Sequence, residues 1–332
     1  MPAARRSTAC RGSLPPVTRR AALPRKSAYV DCMRRINWLI VSLVLSAPLH
    51  AQLLVTTDWL QAHRSDKRMV IVEIGDRASY EKQHIAGARF IALSDLVTDR
   101  DGIPNELPEI AALERTFASA GIGNRDRIIL YSRDVIAAAR AFFTLDYLGH
   151  GDSTSLLDGG FAKWSAENRP VEASAPLLLA KTTDFQARPR AATIARLKAM
   201  AVLVDCLPVL DGSWAVVDAR SPEQFSGAEP GTGIKRGGHI QGALNVPWSE
   251  NLTSSATPVF RSRDELQALY GDSGVAANAS VVVYCRTGMQ ASVNYFVLRY
   301  LGRDVALYDA SYFEWSRSPH PLISTGITTI GG

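Results

Sequence analysis

Cysteine is scarce in this chain, with four in 332 residues, at positions 10, 32, 206 and 285. A fold stapled by many disulfides is thereby excluded. His, Cys, Asp and Glu nowhere recur at metal-ligand spacing, so no metal site is expected. Glycine-rich phosphate or dinucleotide fingerprints are missing too, which argues against nucleotide chemistry. The longest uncharged apolar run, Ile36 to Ala47, is short of the roughly 20 residues that span a bilayer. Basic charge is in excess, 37 − 32 = +5, but residues 1–51 hold nine of the basic residues and only one acid, Asp31. From residue 52 onward the balance is 28 − 31 = −3, so the body of the chain offers no electrostatic case for binding nucleic acid.

What is present begins with a leader. Arg34 and Arg35 follow Met33, the apolar run comes next, and Pro48-Leu-His-Ala51 closes it. This is the charged, apolar and cleavage-site order of a secretory signal peptide over residues 33–51, with the cut expected after Ala51. Residues 1–32 are expected to be an upstream extension from a start placed too early, giving a leader of 1–51 in all. The expected location is therefore periplasmic or secreted, with no membrane contact once the leader is gone. Cys10 and Cys32 would leave with it. Cys206, in the apolar run Ala201 to Leu207, is expected to be buried as a small apolar residue and not bonded to Cys285.

The rest of the chain repeats itself. Val70-Ile-Val-Glu-Ile74 matches Ala215-Val-Val-Asp-Ala219, and His84-Ile-Ala-Gly-Ala88 matches His239-Ile-Gln-Gly-Ala243. Ile128-Ile-Leu-Tyr-Ser132 matches Val281-Val-Val-Tyr-Cys285, and Asp158-Gly-Gly-Phe161 matches Asp309-Ala-Ser-Tyr312. Four blocks in one order predict two copies of one domain. Short apolar strands alternate with helical patterns such as Pro108–Phe117 and Ser262–Tyr270. That predicts an α/β fold with a mainly parallel sheet, covered on both faces by helices, in each copy. The expected division is 52–168, a linker over 169–190, and 191–332. Arg169-Pro-Val-Glu-Ala-Ser-Ala-Pro176 is expected to break helix and strand alike, and 323–332 to be an irregular tail.

Cys285 stands where an apolar strand runs into a turn and a helix resumes at Ala291. The loop amides and the positive end of that helix would then face the sulfur, a setting that favours a thiolate and binds anions. A cysteine-dependent phosphatase would need an arginine six residues after the cysteine to hold phosphoryl oxygens. Ala291 stands there, and Arg286 comes directly after the cysteine instead. The first copy has Ser132 in the cysteine position and lacks the loop glycine, so it is expected to be silent.

The loop Cys285-Arg-Thr-Gly-Met-Gln290, the tandem plan and the Glu-Pro-bearing insertion before His239 together resemble the rhodanese family of sulfurtransferases. The resemblance covers the chain from about Val55 onward. It implies that Cys285 is the nucleophile and that the donor is held by Arg220, Arg286, Thr287, Gly288, Met289 and Gln290. Arg220 matches the family's Asp-Ala-Arg block, and the first copy has Gly75 there. Thiosulfate enzymes of the family carry a lysine two residues after the cysteine, whereas this chain has Thr287. Mercaptopyruvate enzymes begin their loop Cys-Gly, and Arg286 departs from that. The resemblance therefore implies thiosulfate as donor, cyanide or a thiol, a protein thiol included, as acceptor, and no cofactor. A mercaptopyruvate enzyme and an exported sulfur carrier with little turnover are the alternatives.

Overall fold

The computed structural model describes residues 31–32, 35, 52–173, 183–253, 257–319 and 323–325. In the first half, β1 (Leu54–Val55), α1 (Thr57–His63), β2 (Met69–Gly75), α2 (Arg77–Lys82), β3 (His84–Ile85) and β4 (Arg89–Ala92) come first. They are followed by β5 (Thr98–Arg100), β6 (Ile103–Glu106), α3 (Ile110–Ser119), β7 (Arg127–Tyr131), α4 (Val135–Tyr147), β8 (Thr154–Leu157), α5 (Gly160–Ala166) and β9 (Val171–Glu172). The second half begins with β10 (Ile194–Ala195), α6 (Leu197–Cys206), β11 (Trp214–Asp218), α7 (Pro222–Ser226), β12 (His239–Ile240) and β13 (Leu244–Asn245). It ends with α8 (Arg263–Asp272), β14 (Ser280–Tyr284), α9 (Ala291–Tyr300), β15 (Val305–Tyr308), α10 (Ser311–Trp315) and β16 (Ile323–Ser324).

Two five-stranded sheets result, in the orders β1-β8-β7-β2-β4 and β10-β15-β14-β11-β13. Every neighbouring pair in them is parallel. The orders superimpose strand for strand, which is what repeated sequence blocks require. β2, β7, β11 and β14 carry near-continuous Val, Ile and Leu because both faces of a parallel sheet are covered. In register, Glu73 faces Tyr131 in the first sheet and Asp218 faces Tyr284 in the second. The strand-end carboxylate is thus placed identically in both halves.

The halves meet through the helices that follow the Ser132 and Cys285 loops. Phe142 of α4 meets Phe296 of α9 edge-on at 4.9 Å between ring centroids, and Phe143 meets Tyr295 at 5.0 Å. One hydrophobic cluster runs through both sheets across this seam. Such edge-on aromatic pairs add about 1 kcal/mol each beyond area burial. The seam is therefore a core, and it fixes how the first half abuts the cysteine loop.

Three expectations need correction. Val171–Glu172, placed in the linker, forms β9 and pairs antiparallel with β3. Ile323–Ser324, placed in the irregular tail, forms β16 and pairs with β12 in the corresponding way. Each is a two-residue strand beyond the reach of periodicity. Cys206 is buried at the end of α6, but as half of a disulfide with Cys32 rather than as a free thiol. The leader around Cys32 lies mostly outside the described residues, as does the expected cleavage site. No described helix is long and apolar enough to cross a membrane.

Candidate active site

Cys285 follows the last residue of β14 and is 1% exposed. Its amide donates to Ser311 Oγ at 3.2 Å, and its carbonyl accepts from the Tyr312 amide at 3.0 Å. The cysteine is thereby clamped to the start of α10. Ser311 has φ +55°, in the left-handed region that costs a residue with a Cβ about 1 kcal/mol. Gly160 holds the corresponding place in the first half at φ +51°. Serine in a glycine slot is explained by its hydroxyl, which takes the Cys285 amide and donates to the Tyr308 carbonyl at 2.7 Å.

The loop then turns at Gly288, whose φ is +80°. A Cβ there would stand 2.6 Å from the Asp309 carbonyl oxygen, so glycine is required twice over. The amides from Arg286 to Gln290 are not spent on partners among the described residues. Gln290, the residue before α9, makes no side-chain cap. The first half differs at this point. There Asp134 caps α4 with its own carboxylate, accepting from the Ile136 amide at 2.9 Å. A carboxylate fills the helix end in one half, and in the other that end is open beside a free thiol.

Arg286 is half-buried and donates through Nη1 to the Thr232 carbonyl at 3.1 Å, in the insertion before His239. Thr287 is 4% exposed and accepts from Asn105 Nδ2 at 3.1 Å. Asn105 belongs to the β5–β6 hairpin of the first half. Its carbonyl accepts from Arg140 Nη2 at 2.7 Å, and Arg140 Nη1 reaches Asp309 Oδ1 at 2.6 Å. Asp309 Oδ2 accepts the Leu107 amide at 2.8 Å. The first half thus bonds the cysteine loop directly at Thr287, and charge-assisted bonds through Arg140 hold Asp309 beside Gly288. Met289 and Gln290 are half-buried at the loop's end.

Arg220 is fully buried. Nε and Nη2 donate to the Asp218 carboxylate at 2.5–3.1 Å, and Nη2 also donates to the Gly238 carbonyl at 2.9 Å. The guanidinium lies over Tyr312 at 4.1 Å. Burial works against its charge, but the Asp218 carboxylate outweighs that and holds its pKa above the usual arginine value. Nη1 is buried without a hydrogen-bond partner among the described residues, as is Tyr312 Oη. Burial pushes the Tyr312 phenol up to about 12, against the opposing pull of Arg220, so it stays protonated at neutral pH.

Asp218 braces the strand end by accepting from the Arg220 amide and guanidinium. His84 and His239 stack on Tyr80 and Phe225, and Trp164 and Trp315 are packed in the cores. Asn105, Arg140, Asp309 and Ser311 were not singled out from sequence. The one legible signal was Arg140, a charge in the otherwise apolar run Val135 to Leu145. A cavity of about 430 Å³ opens at the far end of the second sheet, between Met200, Trp214, Ser280 and Val305. It holds none of the cysteine-loop residues.

Residues 56–167 and 207–318 each match the rhodanese-like domain, and the chain belongs to that family. It is 35% identical over 279 residues to the sulfur carrier protein TtuD of Thermus thermophilus, covering 80% of this chain and 94% of that one. It is 33% identical over 272 residues to a Mycobacterium bovis protein provisionally named thiosulfate sulfurtransferase 1, covering 79% and 94%. Among solved structures, YnjE aligns with TM-score 0.74 at 26% identity over 85% of this chain and 70% of that one. SseA from Escherichia coli, described as a 3-mercaptopyruvate enzyme, aligns with TM-score 0.68 at 25% identity, over 78% and 98%. Fold, tandem plan and relatives agree on a rhodanese-type sulfurtransferase.

Proposed function

We propose that the protein moves sulfane sulfur from thiosulfate to cyanide or a thiol through a persulfide on Cys285. The carrying observation is the contrast between the two helix ends: Asp134 blocks one, and the other is open beside the free thiol of Cys285. The thiolate attacks the outer sulfur of thiosulfate, a sulfur–sulfur bond forms, and the bond to the sulfonate sulfur breaks. Sulfite leaves with that electron pair. The acceptor then attacks the terminal sulfur of the persulfide; cyanide leaves as thiocyanate, and the thiolate returns. No external oxidant or reductant is consumed.

The loop amides of Arg286 to Gln290 and the α9 dipole stabilise the anionic donor and the persulfide. Arg286 supplies charge at the rim, and Arg220 keeps Nη1 for the donor's anionic end. Parallel double-reciprocal plots for thiosulfate and cyanide test this covalent scheme. Intersecting plots would count against it.

A second reading is favoured by one observation. Thr287 is buried, neutral and occupied by Asn105 where a thiosulfate enzyme would carry a lysine. 3-Mercaptopyruvate is then the rival donor, and the ratio of kcat/KM for the two donors decides. A carrier role is favoured by the relative named as one. A protein that loads one sulfur and stalls with every small acceptor is a carrier, its acceptor then being a protein thiol.

Export belongs to the same proposal, supported by the charged and apolar order of residues 33–51. Cleavage after Ala51 severs Cys32 from the chain and leaves it joined only through Cys206.

A further inference from the structure

The two halves neutralise the same buried carboxylate with arginines from different chain positions. In the second half the cation is Arg220, directly after the strand. It bonds Asp218, donates to the carbonyl of Gly238, the residue before His239, and lies over Tyr312 at 4.1 Å. In the first half Gly75 stands where Arg220 would be. There Arg133, the counterpart of Arg286, does all three things. Its Nε is 3.4 Å from Glu73 Oε1, its Nη2 donates to the carbonyl of Gln83, the residue before His84, and its guanidinium lies over Phe161 at 3.8 Å. Phe161 and Tyr312 are equivalent, since their amides donate to the Ser132 and Cys285 carbonyls. Acid, carbonyl and aromatic ring define one guanidinium slot, present twice.

We infer that Arg220, by filling this slot in the second half, holds Arg286 out at the rim where the anionic donor arrives. This inference rests on the donor-binding role given to Arg286 above. With Asp218 already paired in a bidentate fork, Arg286 makes no ion pair among the described residues and donates to the Thr232 carbonyl. In the first half, where the strand-end position is glycine, the arginine after Ser132 bends back onto Glu73 and the Gln83 carbonyl while its outer edge stays in solvent. Arg220 is therefore a positioning residue for Arg286, in addition to whatever its own Nη1 contributes. This also accounts for a charge pattern that sequence alone leaves open: both loops carry an arginine at the same place, yet only one faces the donor.

The test is a double-mutant cycle read in two ways, on the thiosulfate KM and on thermal stability. Arg286→Ala in the native background is expected to raise the KM about tenfold, with kcat little changed and the melting temperature unmoved. Arg220→Gly is expected to raise the KM at least as much, while remaining folded, because Arg286 swings into the slot. Adding Arg286→Ala to Arg220→Gly should then change the KM less than about twofold, yet lower the melting temperature by about 5 °C or more, since Asp218 is left buried and unpaired. A KM cost for Arg286→Ala that is equal in both backgrounds, with no extra loss of melting temperature, overturns the inference.

The first half supplies a mirror test should Arg220→Gly fail to fold. A Cβ at Gly75 meets nothing within 4 Å, so the backbone there accepts a side chain, and Gly75→Arg offers the slot a second arginine. In that background Arg133→Ala should cost little stability, whereas in the native background it should lower the melting temperature measurably. Equal costs in both backgrounds contradict the slot. The melting cycles require no turnover. A native protein that transfers no sulfur would sink the functional reading and leave the slot decided by stability alone.

Discussion

Thr287 is a short neutral side chain at the point where the proposed reading has the donor's negative charge met. Its hydroxyl accepts from Asn105, which leaves its own proton to donate. Thr287→Lys should lower the thiosulfate KM if charge is what the site lacks. A lysine there is buried in the free protein, so its melting temperature should fall and thiosulfate should restore it. Unchanged KM with lost stability would show that the pocket recognises another donor. Ser311 makes a finer prediction. Ser311→Gly relieves a left-handed serine but removes the acceptor for the Cys285 amide, each term being about 1 kcal/mol. Stability should move little, and the single-turnover rate of sulfur loading should fall. A variant loading as fast as the native protein would show that the serine is only structural.

Strand, loop and helix around Cys285 were legible because each carries a local signal. Val281 to Tyr284 is a buried strand, Gly288 marks the turn, and Ala291 to Tyr300 is the helix to the residue. Ser262 and Glu265 announce α8 by a reciprocal capping box. The two-residue strands β9 and β16 carried no such signal. Val171 and Ile323 sit near prolines in stretches too short for alternation, and their partners His84-Ile85 and His239-Ile240 lie over 80 residues earlier. The bonds of Asn105 to Thr287 and Arg140 to Asp309 were illegible for the same reason, since each joins residues 169 or more apart. Gly288→Ala is the element-scale test. A Cβ against the Asp309 carbonyl at positive φ should displace the loop and remove most activity, while circular dichroism stays native. Retained activity would mean that the loop's turn is not what shapes the site.

At the scale of the molecule, the first half is built into the surroundings of Cys285. Arg140 and Asp309 are both fully buried and join the halves at 2.6 Å. Arg140→Ala leaves a carboxylate unpaired in the seam and should cost about 3–5 kcal/mol. Chemical denaturation should show it, with sulfur transfer falling as Asn105, which bonds Thr287, loses the guanidinium that holds its carbonyl. A loss under about 1 kcal/mol would show that the seam does not need the pair. The leader is a second question at this scale. Amino-terminal sequencing of exported protein is expected to begin at Gln52, and the intact mass without reductant should show whether a peptide remains on Cys206. A chain that keeps residues 1–51 after secretion would contradict export by cleavage. The central claim is the persulfide. Intact-mass and peptide mass spectrometry after one equivalent of thiosulfate, before any acceptor is added, should find one extra sulfur on the Cys285 peptide and none in Cys285→Ser. Sulfur on no peptide, or equal loading and turnover by Cys285→Ser, would contradict the account.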